Sequence, residues 1–142
     1  MGVTIKSENY SIDLGYGGFK NLRMKVAELT APDIYEHYKN LEAGMILFGT
    51  VRQSFFDDYN AEIQQLSKKY HGEKDRILNF LYASDCDGEM DLDHCKSIYE
   101  VVKDYDDDIC YGYCGRPDCA MFKDFKAILK DCIDNNCNME WY

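Results

Sequence analysis

Between Asp85 and Asp108 the chain places ten carboxylates and only two lysines, Lys96 and Lys103, within 24 residues. Carboxylates at that density can do two kinds of chemistry. They can hold a hard cation through oxygen ligands, or present a field that draws in a basic surface. Elsewhere the charges nearly balance: eleven acids against ten bases up to Ser84, and five against four from Ile109 onward. The net charge of -10 is therefore a located feature.

As an electrostatic surface the stretch speeds encounter with a basic protein and repels nucleic acid. The residues that would carry the contact are Asp85, Asp87, Glu89, Asp91, Asp93, Asp104, Asp106, Asp107 and Asp108, with Tyr111 and Tyr113 as adjoining aromatics. A solvated turn and helix face with no partner is the plainer account of a charge run. The expected targets are Lys/Arg-rich surfaces, including those that hold phosphate backbones. Small acidic inhibitors offer an analogy of charge and size: phage anti-defence or anti-CRISPR-like proteins that block guided nucleases, and immunity proteins that neutralise toxic nucleases. No motif links the chain to either. Direct nucleic-acid binding is not expected, because 16 basic residues face 26 acids and form no stripe.

As a cation site, Asp85-Cys86-Asp87-Gly88-Glu89-Met90-Asp91 resembles the middle of a calcium-binding EF-hand loop. Gly88 falls at the turn, Asp85, Asp87 and Asp91 at ligand positions, and Met90 at the apolar bridge. The same alignment puts Ala83 where the first carboxylate belongs and His94 where the bidentate Glu belongs, so both ends of the ligand set are missing. A turn at Gly88, with Asp91 or Asp93 capping a helix, explains the same residues.

Seven cysteines, all from Cys86 onward, raise two further possibilities. Cys110, Cys114 and Cys119 are dense enough to consider zinc, but tight Cys-x-x-Cys knuckles are absent. Cys119, near Arg116 and a helix start, is the candidate nucleophile of a small cysteine-dependent enzyme. His37, His71 and His94 are scattered and form no paired motif, and the field of Asp104 to Asp108 opposes a thiolate. The odd count and the lack of a signal-peptide-like start point to reduced thiols in the cytoplasm, many simply buried. A non-enzymatic interaction protein without a cofactor is the first expectation. A metal-binding or metal-stabilised domain is the second.

The elements that must position these residues follow from periodicity. Val3 to Asp13 alternates and reads as one or two strands, broken by Gly15, Gly17 and Gly18. Phe19, Leu22, Val26 and Leu29 mark a helix, and Thr30-Ala31-Pro32-Asp33 a restart with Thr30 as cap. Ile34 to Leu41, Phe55 to Tyr70 and Ile77 to Leu81 read as helices, as do about Asp93 to Asp104 and Phe122 to Cys132. Met45 to Val51 fits either a buried strand or the first turns of a helix. Ile109 to Tyr113 and Asn138 to Tyr142 read as strands. The expectation is an α+β fold over residues 1–142 as one domain: about six helices against a small antiparallel sheet built from the N-terminal segment, residues 109–113 and the C-terminus. No stretch is long enough to span a membrane.

Overall fold

A computed structural model describes residues 2–107, 109–112 and 120–142. Strands β1 (Val3–Lys6) and β2 (Ser11–Leu14) open the chain. Helices α1 (Tyr16–Thr30), α2 (Pro32–Lys39), α3 (Leu41–Met45), α4 (Gly49–Lys69) and α5 (Asp75–Leu81) follow. Strand β3 (Gly88–Met90), helix α6 (Leu92–Val102), helix α7 (Phe122–Asn135) and strand β4 (Met139–Trp141) complete it. The expected α+β class holds: helices pack on a four-stranded antiparallel sheet in the order β2-β1-β4-β3. No helix among the described residues is long and apolar enough to cross a membrane.

The sheet's composition corrects one expectation. Its third contributor is Gly88–Met90, not the 109–113 segment, of which residues 109–112 are described. There Cys110 makes an isolated bridge to Met121, outside the four-stranded sheet. Gly88 makes the β3–β4 pairing possible. A Cβ on it would lie 2.1 Å from the Trp141 ring, so the indole crosses the strand only where no side chain stands.

The helical stripes form as spaced. Phe19, Leu22 and Val26 of α1 and Phe122, Phe125, Ile128, Leu129 and Cys132 of α7 are all buried in one core with the inner faces of β1 and β4. The expected cap moves by one residue. Proline pushes its predecessor into extended backbone, so Ala31 (φ -166°) becomes the N-cap of α2. Thr30 ends α1, and its hydroxyl donates back to the Val26 carbonyl at 2.7 Å. Of the ambiguous segment, Met45 closes α3 and Gly49 to Val51 open α4. Met45, Ile46, Phe48 and Val51 are exposed there, Phe48 at 84%. Helix α4 stands against α2 and α3 and buries only Tyr59.

A carboxylate clamps the sheet to the helices. Asp131 of α7 is buried and accepts from the Ser7 hydroxyl at 2.6 Å, the Asn9 amide and side chain at 2.8 Å each, and the Asn135 side chain at 2.6 Å. These bonds, that of Ser7 first, hold its pKa down to about 2. A folded pKa below the unfolded value of about 3.9 gives stability that is complete above that value and is lost as pH falls toward 2. Asp131→Asn is expected to lower the melting temperature at pH 7 and to flatten its fall between pH 4 and about 2. Parallel acid-melting curves for the two proteins would refute the clamp.

Candidate functional site

The acidic stretch does not form one patch. Asp85, Asp87, Glu89, Asp91 and Asp93 occupy alternate positions, the period of a strand. Around β3 this turns Glu89 outward, while Gly88 faces Trp141 and Met90 is buried. Asp91 then caps α6, accepting from the His94 amide at 3.0 Å and pairing with its Nδ1 at 2.6 Å. The His94 bonds draw its pKa down. The 11 residues of α6 span about 16 Å, roughly twice the screening length at physiological salt. The acids beyond its C-terminus are therefore electrically separate from those before it.

That second group is largely occupied with local structure. Asp106 pairs with Lys126 at 2.6 Å. Asp107 accepts from the Tyr111 hydroxyl at 2.8 Å, the Tyr105 hydroxyl at 3.1 Å and the Ile109 amide at 3.1 Å. Tyr111 was expected as a surface aromatic, and this is corrected: it is 3% exposed and packs on Phe122. Burial and the bond to Asp107 push its phenol pKa up, so it remains a donor. Asp104 is exposed. Asp108 and Tyr113 lie outside the described residues.

The first group is freer. Asp85, Asp87, Glu89, Asp91 and Asp93 are all exposed, and no lysine or arginine among the described residues pairs with any of them. Their contacts are weaker or uncharged: the Cys86 thiol to Asp85 at 3.4 Å, the Ser84 hydroxyl to Asp87 at 3.4 Å, and the Asn138 amide to Glu89. Glu89 also stands opposite Glu140 in the β3–β4 register, a like-charge pair that disfavours the sheet. Lys6 offsets it in part from β1, 3.4 Å from Glu140.

Metal chemistry gains nothing from this arrangement. Among the described residues no group of three or more His, Cys, Asp or Glu side chains comes together to hold a cation, so Asp85, Asp87 and Asp91 do not converge. Cys110, expected as a reduced thiol and possible zinc ligand, is disulfide-bonded, and such a sulfur is not a thiolate ligand. Cys114 and Cys119 lie outside the described residues. Cys86, Cys95, Cys132 and Cys137 are free thiols. The exposed Cys86 is a poor nucleophile, because its bond to Asp85 and that residue's charge raise its pKa.

A second site has no counterpart in the expectations. Helices α1, α2, α3 and α4 and the segment after α5 line a half-open cavity of about 500 Å³. Its walls include the rings of Tyr16, Tyr38, Phe56, Tyr59 and Tyr82, and Lys20, Arg23, Asn60 and Asp85 supply polar groups. Arg23 is 4% exposed. It donates through Nη1 to the Ala83 carbonyl and through Nη2 to the Ser84 carbonyl, both at 3.0 Å. The guanidinium carbon lies 4.2 Å from the Phe19 ring centre and 5.5 Å from that of Trp141. Burial lowers its pKa, yet a guanidinium stays protonated in proteins.

Across the cavity, Tyr59 stacks on His37 with ring centres 4.0 Å apart. The imidazole Nε2–H donates to the Tyr59 carbonyl at 3.1 Å, which leaves Nδ1 to accept from the Tyr82 hydroxyl at 2.7 Å. Burial lowers the His37 pKa and so favours this neutral tautomer, although Glu62 stands 3.5 Å from Nε2. His37 thus fixes two walls of the cavity. Among the described residues the buried side-chain polar atoms with no partner are Arg23 Nε and the Tyr59 hydroxyl, and both residues line this cavity. Each such atom ordinarily costs about 1–3 kcal/mol.

One signal in the sequence could have found this site. Arg23 sits between Leu22 and Val26 on the apolar arc of α1, where a cation must be satisfied internally. The tyrosines gave no such signal, because ring spacing on a helix reads as core whether or not a cavity lies beyond it. Compared with protein-family models, curated proteins and solved structures, the chain matches none.

Proposed function

We propose that the chain is a non-enzymatic interaction protein that binds a basic protein through the acidic edge formed by Asp85, Asp87, Glu89, Asp91 and Asp93. In its sharpest form it inhibits a nucleic-acid-processing enzyme by covering a surface that otherwise holds phosphates. The supporting observation is that these five carboxylates flank and occupy an edge strand with no Lys or Arg partner among the described residues. Charges on a strand edge also block self-association. Edge protection needs only one or two, however, and the Glu89–Glu140 opposition is a cost that protection alone does not require. A cytoplasmic site of action belongs to this reading. The free thiols support it, and the disulfide at Cys110 stands against it.

The test is capture of the partner with and without Asp87→Lys, Glu89→Lys and Asp93→Lys combined, leaving the Asp91 cap intact. Binding of a basic protein is expected to weaken about tenfold or more and to fall steeply with salt. Reversal at Asp104 and Asp106 should do much less. Retention indifferent to the first set, or equally sensitive to both, rules the proposal out.

A further inference from the structure

Three of the four free thiols among the described residues meet in one row. Cys137 donates to the Cys132 sulfur, Cys132 to that of Cys95, and Cys95 to the Met90 carbonyl at 3.7 Å. They belong to the segment after α7, to α7 itself and to α6. Thiols in a row do not converge on a cation. Buried thiols often only fill a core, and Cys95 and Cys132, both fully buried, fit that account. Cys137 has a face open to solvent.

The end of α7 explains the contact between the outer two thiols. Asn136 is left-handed (φ 52°), and the Cys137 amide returns to the Cys132 carbonyl at 3.1 Å. That bond, from the sixth residue to the first, marks a Schellman cap, which sets the side chains at its two ends against each other. Cys137 is partly buried and lines an open cleft of about 510 Å³ with Lys6, Glu8, Asn136, Asn138 and Glu140. An ammonium, two carboxylates and two side-chain amides suit a small peptide that carries charges of both signs. Burial raises the Cys137 pKa, and a bond donated by the Glu8 backbone N–H to its sulfur partly opposes this. Its thiolate is scarce at neutral pH but correspondingly nucleophilic.

We infer that Cys137 and Cys132 form a thiol–disulfide exchange site for a small peptide disulfide of the glutathione class. The Cys137 sulfur attacks one sulfur of glutathione disulfide, and the departing glutathione thiolate takes the Cys137 proton. Cys132 then attacks the Cys137 sulfur of the mixed disulfide, and the second glutathione leaves with the Cys132 proton. Two protein thiols and one glutathione disulfide become one protein disulfide and two glutathiones. The inference does not rest on the acidic edge.

The full chain, with its free thiols reduced, is incubated with excess glutathione disulfide, quenched in acid, alkylated and mapped by mass spectrometry. Cys132 and Cys137 share one tryptic peptide, Asp131–Tyr142, so their disulfide is read as loss of both thiol hydrogens without a cross-link. The wild type is expected to form that disulfide and to retain little glutathione. Cys132→Ala removes the resolving thiol and should hold glutathione on Cys137 at about tenfold the wild-type level. Cys137→Ser should leave Cys132 unmodified. Undiminished alkylation of Cys132 and Cys137 in the wild type overturns the inference. So does a cross-link of Cys95 to Cys132, or as much glutathione on Cys137 in the wild type as in Cys132→Ala.

Discussion

Replacing Trp141 with alanine is expected to remove about 3–5 kcal/mol of stability, a large share of the roughly 5–15 kcal/mol that holds such a domain together. The indole is 1% exposed and sits where the sheet, α1 and α5 meet. It lies 5.7 Å from Phe19 and 5.8 Å from Phe80, ring centre to ring centre, and covers Gly88. Its Nε1–H donates to the Ser84 carbonyl at 2.9 Å. Alanine would therefore open a large cavity and loosen β3, whose only strand partner among the described residues is β4. Because Trp141 is the single tryptophan, unfolding should be followed in urea by far-ultraviolet circular dichroism. A loss below about 1 kcal/mol would mean that the indole is not central to the core.

The second large effect is expected at Arg23. Arg23→Met keeps the aliphatic stem among Phe19, Phe80 and Trp141 but removes both carbonyl bonds and the cation over the rings. A cost of about 2–4 kcal/mol is expected, most of it from the Ala83 carbonyl left without this donor. Arg23→Lys should recover only part, since one ammonium does not reproduce a planar fork. Trp141 and Arg23 both donate to Ser84, so their effects should not add. The double variant is expected to lose about 0.5–3 kcal/mol less than the sum of the singles. Strict additivity would show that the two side chains act separately.

The features that followed from spacing were those fixed within one element. The α1 and α7 stripes, the Pro32 start and the Asp91 cap depend on residues a few positions apart, and they fold as the periodicity indicates. The acids at odd positions from 85 to 93 carried a strand signal, but Gly88 in their midst drew the reading toward a turn. What decides in favour of a strand is Trp141, more than fifty residues away, seated against that glycine. Residues 109–112 have strand-like composition, yet Tyr111 is held by Asp107 and Phe122, and among the described residues the segment pairs through the Cys110 bridge to Met121. The cavity was hidden for the same reason. Arg23, Tyr38, Tyr59 and Tyr82 come from separate elements, and their meeting is a fact of tertiary packing.

The pairing of β1 with β4 also sets an order of events. Ile5 faces Trp141, so the centre of the sheet joins two segments separated by nearly the whole chain. Closing so large a loop is entropically slow, whereas the α1–α2 and α6–α7 contacts link elements much nearer to one another in the chain. The helices can therefore assemble first. The acidic edge strand, which among the described residues has no strand neighbour but β4, is then the last piece to take its place. Until it does, Asp85, Asp87 and Glu89 belong to a loose loop beside an already formed α6, and the acidic edge is completed only when the two ends of the chain meet.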